Sequence, residues 1–250
     1  MSYEFARLEM LIGESGIQKL KESTVAVFGI GGVGSYSAEA LARSAVGKII
    51  LVDFDKISES NINRQIHSLR STIGRNKADV MEERIKDINP ECEVIKEINL
   101  LKRDNIKEFF EKHRPDFVID AIDMVKAKAA LIEYCSQNNI NIISSMGFGN
   151  KMHPEMIEIS IIEDTAVCPM ARTIRRILNK KNIKNLPVVY SREKALVPDK
   201  STLFKEERLT EFRENNKLPN KITPGSNAFV PGTAGLVLSS YVIRNILEID

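Results

Sequence analysis

The chain lacks most of what would tie it to a membrane, a secretory route or a metal scaffold. It has three cysteines in 250 residues, Cys92, Cys135 and Cys168. They stand too far apart to form a Cys-x-x-Cys zinc pair, so no zinc is expected, and their wide spacing fits reduced thiols rather than a disulfide frame. No apolar run reaches the length of a membrane span, since the Gly235–Leu247 stretch is too short and contains Arg244. Residues Met1 to Met10 have neither the basic start nor the apolar centre of a secretion signal. A net charge of +2 is too small to indicate a nucleic-acid or membrane partner by itself. No internal repeat is visible. These absences lead to the expectation of a soluble cytoplasmic protein.

What is present is a globular composition, 43% hydrophobic and 28% charged, with enough chain for one generous α/β domain and an appended segment. The most informative stretch runs from Thr24 to Lys77. The apolar run Val25–Phe28 enters Gly29-Ile30-Gly31-Gly32-Val33-Gly34, and a helical pattern follows. A strand, a glycine turn and a helix form the phosphate-binding start of a Rossmann-like unit. Gly29 allows the tight turn, Gly31 and Gly32 admit a phosphate or ribose to the backbone, and Gly34 lets the helix approach the strand. The helix N-terminus offers free N–H groups to an anion. A second apolar strand, Lys48–Val52, ends in Asp53, roughly 20 residues beyond the turn, where an acid commonly accepts bonds from ribose hydroxyls.

In chain order, a short helix is predicted near Gly13–Lys21, with Arg7 just before it. Strands are predicted near 24–30, 48–53, 92–99, 116–121 and 140–145, separated by helices near 34–45, 75–88, 104–113 and 125–138. This alternation implies βαβ units and a Rossmann-like, doubly wound, mainly parallel sheet. Beyond Gly149, strands at 156–162 and 187–191 flank a basic helix, 169–181, and suggest an antiparallel extension. Residues 199–226 are rich in Lys, Glu, Asn and Pro and read as a mobile crossover segment. A helix spans 232–249. The expected division is an N-terminal helical segment (1–23), a nucleotide-binding core (24–165) and a C-terminal extension (166–250).

The polar residues after Asp53 suggest ATP chemistry. Activating a carboxylate brings two anions together, so preorganised cations are needed. Arg64 can hold phosphate oxygens with its planar fork, Lys77 can add a compact charge, and Asn61 and Gln65 can orient the group. Asp123, in Asp120-Ala121-Ile122-Asp123 at a strand's C-terminal end, sits where open α/β sheets bind ligands and suits Mg²⁺. Other readings stand beside these: solvated surface charge for Arg64 and Lys77, and a helix N-cap for Asp123.

The run GIGGVGS, LVDFD, SNINRQ, Lys77 and DAID resembles the adenylating domain of the ubiquitin-activating superfamily, which includes bacterial MoeB and ThiF. Further stretches, among them FARLEMLIG, NRQIHSL, RIKDINPECEV and SSMGFGNKMHPEMIEI, bring it closest to the tRNA threonylcarbamoyladenosine dehydratase family. The resemblance covers roughly residues 5–190. It implies an ATP-dependent enzyme, forming AMP and pyrophosphate, that adenylates the threonylcarbamoyl carboxylate of a modified tRNA adenosine and closes it to a cyclic hydantoin with loss of water. It also implies Gly32 against the nucleotide, Asp53 at the ribose, Arg64 and Lys77 at the phosphates and Asp123 on magnesium. Arg7 matches an arginine that reaches the other subunit's phosphates, which implies a homodimer. A cysteine-desulfurase or sulfur-acceptor partner is a further implication. The chain departs from MoeB and ThiF in lacking their four zinc cysteines and in having Met124 after Asp123, where they carry Asn.

Three features stay open between a functional and a structural reading. Cys168 begins the pattern Cys168-Pro169-Met170, where a helix dipole can activate a thiol, yet an intramolecular ring closure needs no thiol and a packed cap residue is the plainer reading. His67 is near the Arg64-Gln65 pair and fits packing as well as chemistry. Arg172, Arg175, Arg176 and Lys180 share one helical stripe able to meet tRNA phosphates, or simply water. Two other functions compete: activation of a sulfur-carrier protein's C-terminal glycine, and a non-catalytic NAD-sensing module that would not need Arg64 and Lys77.

Overall fold

The computed structural model describes residues 3–98, 105–198 and 224–249. Five strands are parallel neighbours of one another or of the next: β1 (Thr24–Phe28), β2 (Lys48–Val52), β3 (Glu93–Glu97), β4 (Phe117–Asp120) and β5 (Asn141–Ser145). The chain then adds β6 (Ile157–Ile161) and β7 (Pro187–Ser191). The sheet order is β3-β2-β1-β4-β5-β7-β6, with β7 parallel to β5 and antiparallel to the edge strand β6. The antiparallel extension expected from the sequence is therefore present.

Alternation along the strands distributes the core between two faces. On one face Ala26, Phe28, Val118 and Ile142 pack with α4 (Ile106–His113), α5 (Val125–Gln137) and α6 (Pro169–Asn179). On the other, Val25, Val27, Ile49 and Ile119 pack with α2 (Gly34–Arg43), α3 (Lys77–Ile88) and α7 (Phe229–Leu247). Both faces are covered, which is why the strands read as continuous apolar runs rather than as alternating ones. The α2 and α3 helices are also joined by a largely buried carboxylate, Glu39, which accepts from Arg43 and Arg84. Burial alone would raise its pKa, but the two guanidiniums bring it below the usual value.

Two boundaries differ from the sequence expectation. Helix α1 spans Ala6–Lys21 rather than beginning at Gly13, and Gly13 is a break within it (φ 71°, ψ 171°). Arg7 accordingly lies inside the helix. The first half of α1 leaves Met10 and Leu11 exposed, so it carries no inward stripe for periodicity to detect. Helix α7 begins at Phe229 rather than 232: Val230 N–H donates to Asn227 Oδ1 (2.9 Å), and Pro231 falls in the first turn, where its missing N–H costs nothing. The expected crossover segment 199–226 lies outside the described residues except for 224–226. There Asn150 and Gly225 exchange two hydrogen bonds, Asn150 N to Gly225 O (2.8 Å) and Gly225 N to Asn150 Oδ1 (2.6 Å).

Candidate active site

From β1 the chain adds strands outward through β2 and β3, then returns to place β4 on the other side of β1. The C-terminal ends of β1 and β4 therefore form the switch-point crevice where such sheets hold ligands. The glycine turn fills its floor. Gly29 has a positive φ of 87°, and a Cβ there would lie 2.8 Å from Ala121 O, so only glycine lets the β1 and β4 turns meet. Nothing comes within 4 Å of the Cβ position at Gly31, which leaves that backbone open to a ligand. Gly34 sits directly on Gly29 O, bringing α2 down onto the strand.

Asp53 directly follows β2 and turns back toward this loop. Its Oδ2 accepts from Ile30 N–H (2.6 Å) and its Oδ1 from Asp55 N–H (2.8 Å). Burial pushes the Asp53 pKa up, against the opposing pull of Lys77 and these two amides. Each oxygen has spare acceptor capacity, so the residue can fix the loop and still receive a hydroxyl. Lys77, the first residue of α3, is buried rather than solvated: its Nζ donates to Asp55 Oδ2 (2.7 Å) and lies 4.0 Å from Asp53 Oδ1. Arg64 reaches the same loop from the 3₁₀ turn around Glu59–Asn61. A Cβ on Gly32 would stand 3.4 Å from Arg64 O and 3.5 Å from its Cγ, while Arg64 Nη1 donates to Ser60 O (2.7 Å) and Asn63 Oδ1 (3.0 Å).

The other residues expected at the nucleotide differ in their surroundings. Asn61 and Gln65 are buried; Asn61 Oδ1 accepts from Ser58 N–H (3.1 Å) and Gln65 Oε1 is near Ser68 Oγ (3.5 Å). Asp123 is exposed, and its carboxylate has no hydrogen-bond partner among the described residues; it does not cap α5, whose N-cap position is Met124. No hydrogen bond or ion pair joins Arg7 to the cluster within the described chain, and its side of α1 is exposed. No group of three or more His, Cys, Asp or Glu among the described residues could cage a metal.

On α6, Cys168 takes the N-cap position, with Pro169 behind it; it is buried, with its Sγ 3.9 Å from Gly147 O. Arg175 is committed to the fold, donating through Nη1 to Thr165 O (2.6 Å) and Thr165 Oγ1 (2.8 Å). Arg172, Arg176 and Lys180 have no ion-pair partner among the described residues. With Arg175 and Asn179 they line an open depression of about 450 Å³. His67 is only 1% exposed, and neither of its ring nitrogens makes a hydrogen bond within the described structure.

Sequence reasoning passed over Lys128. It is fully buried at the start of α5 and donates to Asp120 Oδ2 (2.8 Å), Ser144 Oγ (3.1 Å) and Ser145 O (2.9 Å). The signal was available: Lys128, Leu131, Ile132 and Cys135 share the i, i+3, i+4, i+7 phase of the inward face.

This arrangement is that of a Rossmann-like protein whose glycine turn is open at Gly31 beside the ends of β1, β2 and β4. Comparison with known proteins narrows the class. The ThiF family model matches residues 5–249. The tRNA threonylcarbamoyladenosine dehydratase of Bacillus subtilis (strain 168) is 42% identical over 250 residues, covering 99% of this chain and 96% of the relative. The Escherichia coli (strain K12) protein of the same description is 34% identical over 252 residues, covering 97% and 93%. A solved structure of the E. coli tRNA N6-threonylcarbamoyladenosine dehydratase in complex with ATP is similar with a TM-score of 0.85 and 33% identity, covering 98% of this chain and 94% of that one. The chain belongs to the ThiF family.

Proposed function

We infer that this protein is an ATP-dependent tRNA threonylcarbamoyladenosine dehydratase. The observation that carries the reading is the meeting of a glycine turn open at Gly31 with Asp53, buried Lys77 and Arg64 at one switch point, in a chain alike over its whole length to dehydratases, one of them solved with ATP.

The chemistry follows in two steps. A threonyl carboxylate oxygen attacks the α-phosphorus of ATP, the bond to the β-phosphate oxygen breaks, and pyrophosphate leaves. A ureido nitrogen of the same modified base then attacks the activated acyl carbon. Its proton is lost, AMP departs, and a hydantoin ring remains, one water poorer than the substrate. In this reading the glycine turn receives the nucleotide and Asp53 takes its ribose. Arg64 exchanges its bonds to Ser60 and Asn63 for phosphate oxygens, and Lys77 offsets the charge of the leaving group. Asn61 and Gln65, buried beneath, hold the Arg64 turn in shape. Ring closure within one substrate uses no thiol, so Cys168 acts here as a packed residue at the start of α6, and no sulfur-transfer partner is required.

Magnesium fits the donor set. Asp123 offers an exposed carboxylate with no hydrogen-bond partner among the described residues, and Mg²⁺ takes one or two carboxylates while completing its shell with phosphates and water. When bound, it neutralises phosphate charge. The tRNA backbone lies on α6 along Arg172, Arg176 and Lys180. The working form is a homodimer in which Arg7 reaches the partner's phosphates. What supports this is the exposure of Met10 and Leu11 on α1, and of Tyr3 in the 3₁₀ turn before it, around Arg7, with Tyr3 90% exposed. The reaction belongs to the cytoplasm, where tRNA and ATP are found.

The test is mass spectrometry of nucleosides from threonylcarbamoylated tRNA incubated with the protein, ATP and Mg²⁺. Loss of one water from the modified adenosine is expected, and Asp123→Ala should abolish it in a protein that still folds. An unchanged nucleoside with intact ATP binding would refute the assignment.

A further inference from the structure

We propose that Lys128, with Asp120 and Ser144, is a positioning group that sets the angle of the turn carrying Asp123. The proposal rests on the reading of Asp123 given above and concerns residues that touch neither nucleotide nor substrate.

The geometry is closed on every side. All three Lys128 N–H bonds are used, on Asp120 Oδ2, Ser144 Oγ and Ser145 O. Ser144 Oγ–H also donates to Asp120 Oδ2 (2.6 Å), and Asp120 Oδ1 accepts from Ile122 N–H (3.1 Å). Three elements are thereby joined at one point: the end of β4, the end of β5 and the first turn of α5. From the other side, the β1 turn presses on the same peptide, since a Cβ on Gly29 would lie 2.8 Å from Ala121 O and 3.2 Å from Ile122 N. Residues 121 and 122 are held between Gly29 and the Asp120 carboxylate, and Asp123 is the next residue along.

Stability alone does not explain the arrangement. Both charges are completely buried, 0% exposed on each side chain, and a buried ion pair generally gains little over apolar residues of the same volume. What an apolar pair would not provide is an acceptor for Ile122 N–H. The network thus supplies direction: it fixes the backbone of the turn that carries the exposed Asp123.

Three variants test this. Lys128→Met leaves the Asp120 charge without a counterion, the paired Asp120→Leu/Lys128→Met change removes both charges, and Ser144→Ala removes only one link. For each, thermal midpoint, ATP affinity, Mn²⁺ affinity of the ATP-bound protein and kcat are measured. The paired variant is expected to recover thermal stability relative to Lys128→Met but not function. ATP affinity should stay near wild type, Mn²⁺ affinity should fall by about 10-fold or more, and kcat should drop by roughly 100-fold. Ser144→Ala, which should fold normally, moves Mn²⁺ affinity and kcat the same way by less. Wild-type Mn²⁺ affinity and kcat in a folded paired variant, or in Ser144→Ala if the paired variant does not fold, would overturn the proposal. The Mn²⁺ titration needs no tRNA, so it gives its answer even if the wild-type protein fails to dehydrate threonylcarbamoyladenosine.

Discussion

Residue by residue, environment separates side chains that look alike in the sequence. Lys77 and Asp53 are withdrawn from water and compensated by each other, by Asp55 and by backbone amides, whereas Asp123 is exposed with no hydrogen-bond partner among the described residues. His67 shows what burial does without compensation. Burial, reinforced by the nearby Lys77 and Arg84 charges, lowers its pKa from 6.5 to about 4. Above pH 6.5 neither the folded nor the unfolded state binds this proton. Between 6.5 and about 4 the unfolded chain binds it and the folded one does not, so stability falls as the pH drops; below about 4 both bind it and the loss stops. A shift of this size corresponds to about 3 kcal/mol at most. His67→Phe, of similar volume, should flatten the pH dependence of denaturant unfolding across that window. An unchanged slope would mean that His67 is protonated or solvated in the folded protein.

At the level of elements, α6 combines two roles on one short helix. Arg175 points back to the Thr165 carbonyl and anchors the helix, while Arg172, Arg176 and Lys180 form a row at four-residue spacing with no carboxylate on the helix to offset them. If that row meets RNA phosphates, Arg172→Glu and Arg176→Glu should each weaken tRNA binding and make the salt dependence shallower by about one unit of slope per lost contact. ATP affinity should be untouched. Filter binding across a salt series gives the answer, and equal affinity for wild type and both variants would exclude this face. The stripe was legible from spacing because Ile174 and Leu178 mark the opposite side. That Arg175 leaves it was not legible, because Thr165 is ten positions away and meets it only in the folded chain.

For the molecule as a whole, the sheet gathers residues far apart in sequence at the ends of β1, β2 and β4, yet no bond among the described residues joins Arg7 to them from its exposed place on α1. In the homodimer proposed above, a second copy would supply that arginine. Arg7→Ala and Asp123→Ala should each be inactive alone, while mixed dimers, formed by co-expression, should regain part of the activity because each hybrid contains one intact site. Light scattering that reports a monomer at working concentration, or failure of the mixture to recover, would remove Arg7 from the site.

The strand–helix alternation, the glycine turn, the acid after β2 and the start of α6 at Pro169 were all determined by the sequence alone. Each depends on backbone preferences and periodicities that act over a few neighbouring residues. Only the tertiary structure decided which charges are buried. Lys77 and Lys128 are lysines in helical patterns like many others, and what distinguishes them is the set of strand ends that close over them. The same holds for the first half of α1, which follows no core pattern because it meets none of the described core. Desolvation is a property of the assembled surroundings, so the burial of Lys77 beside Asp53 and Asp55, and of Lys128 between the β4 and β5 ends, could be read only from the folded chain.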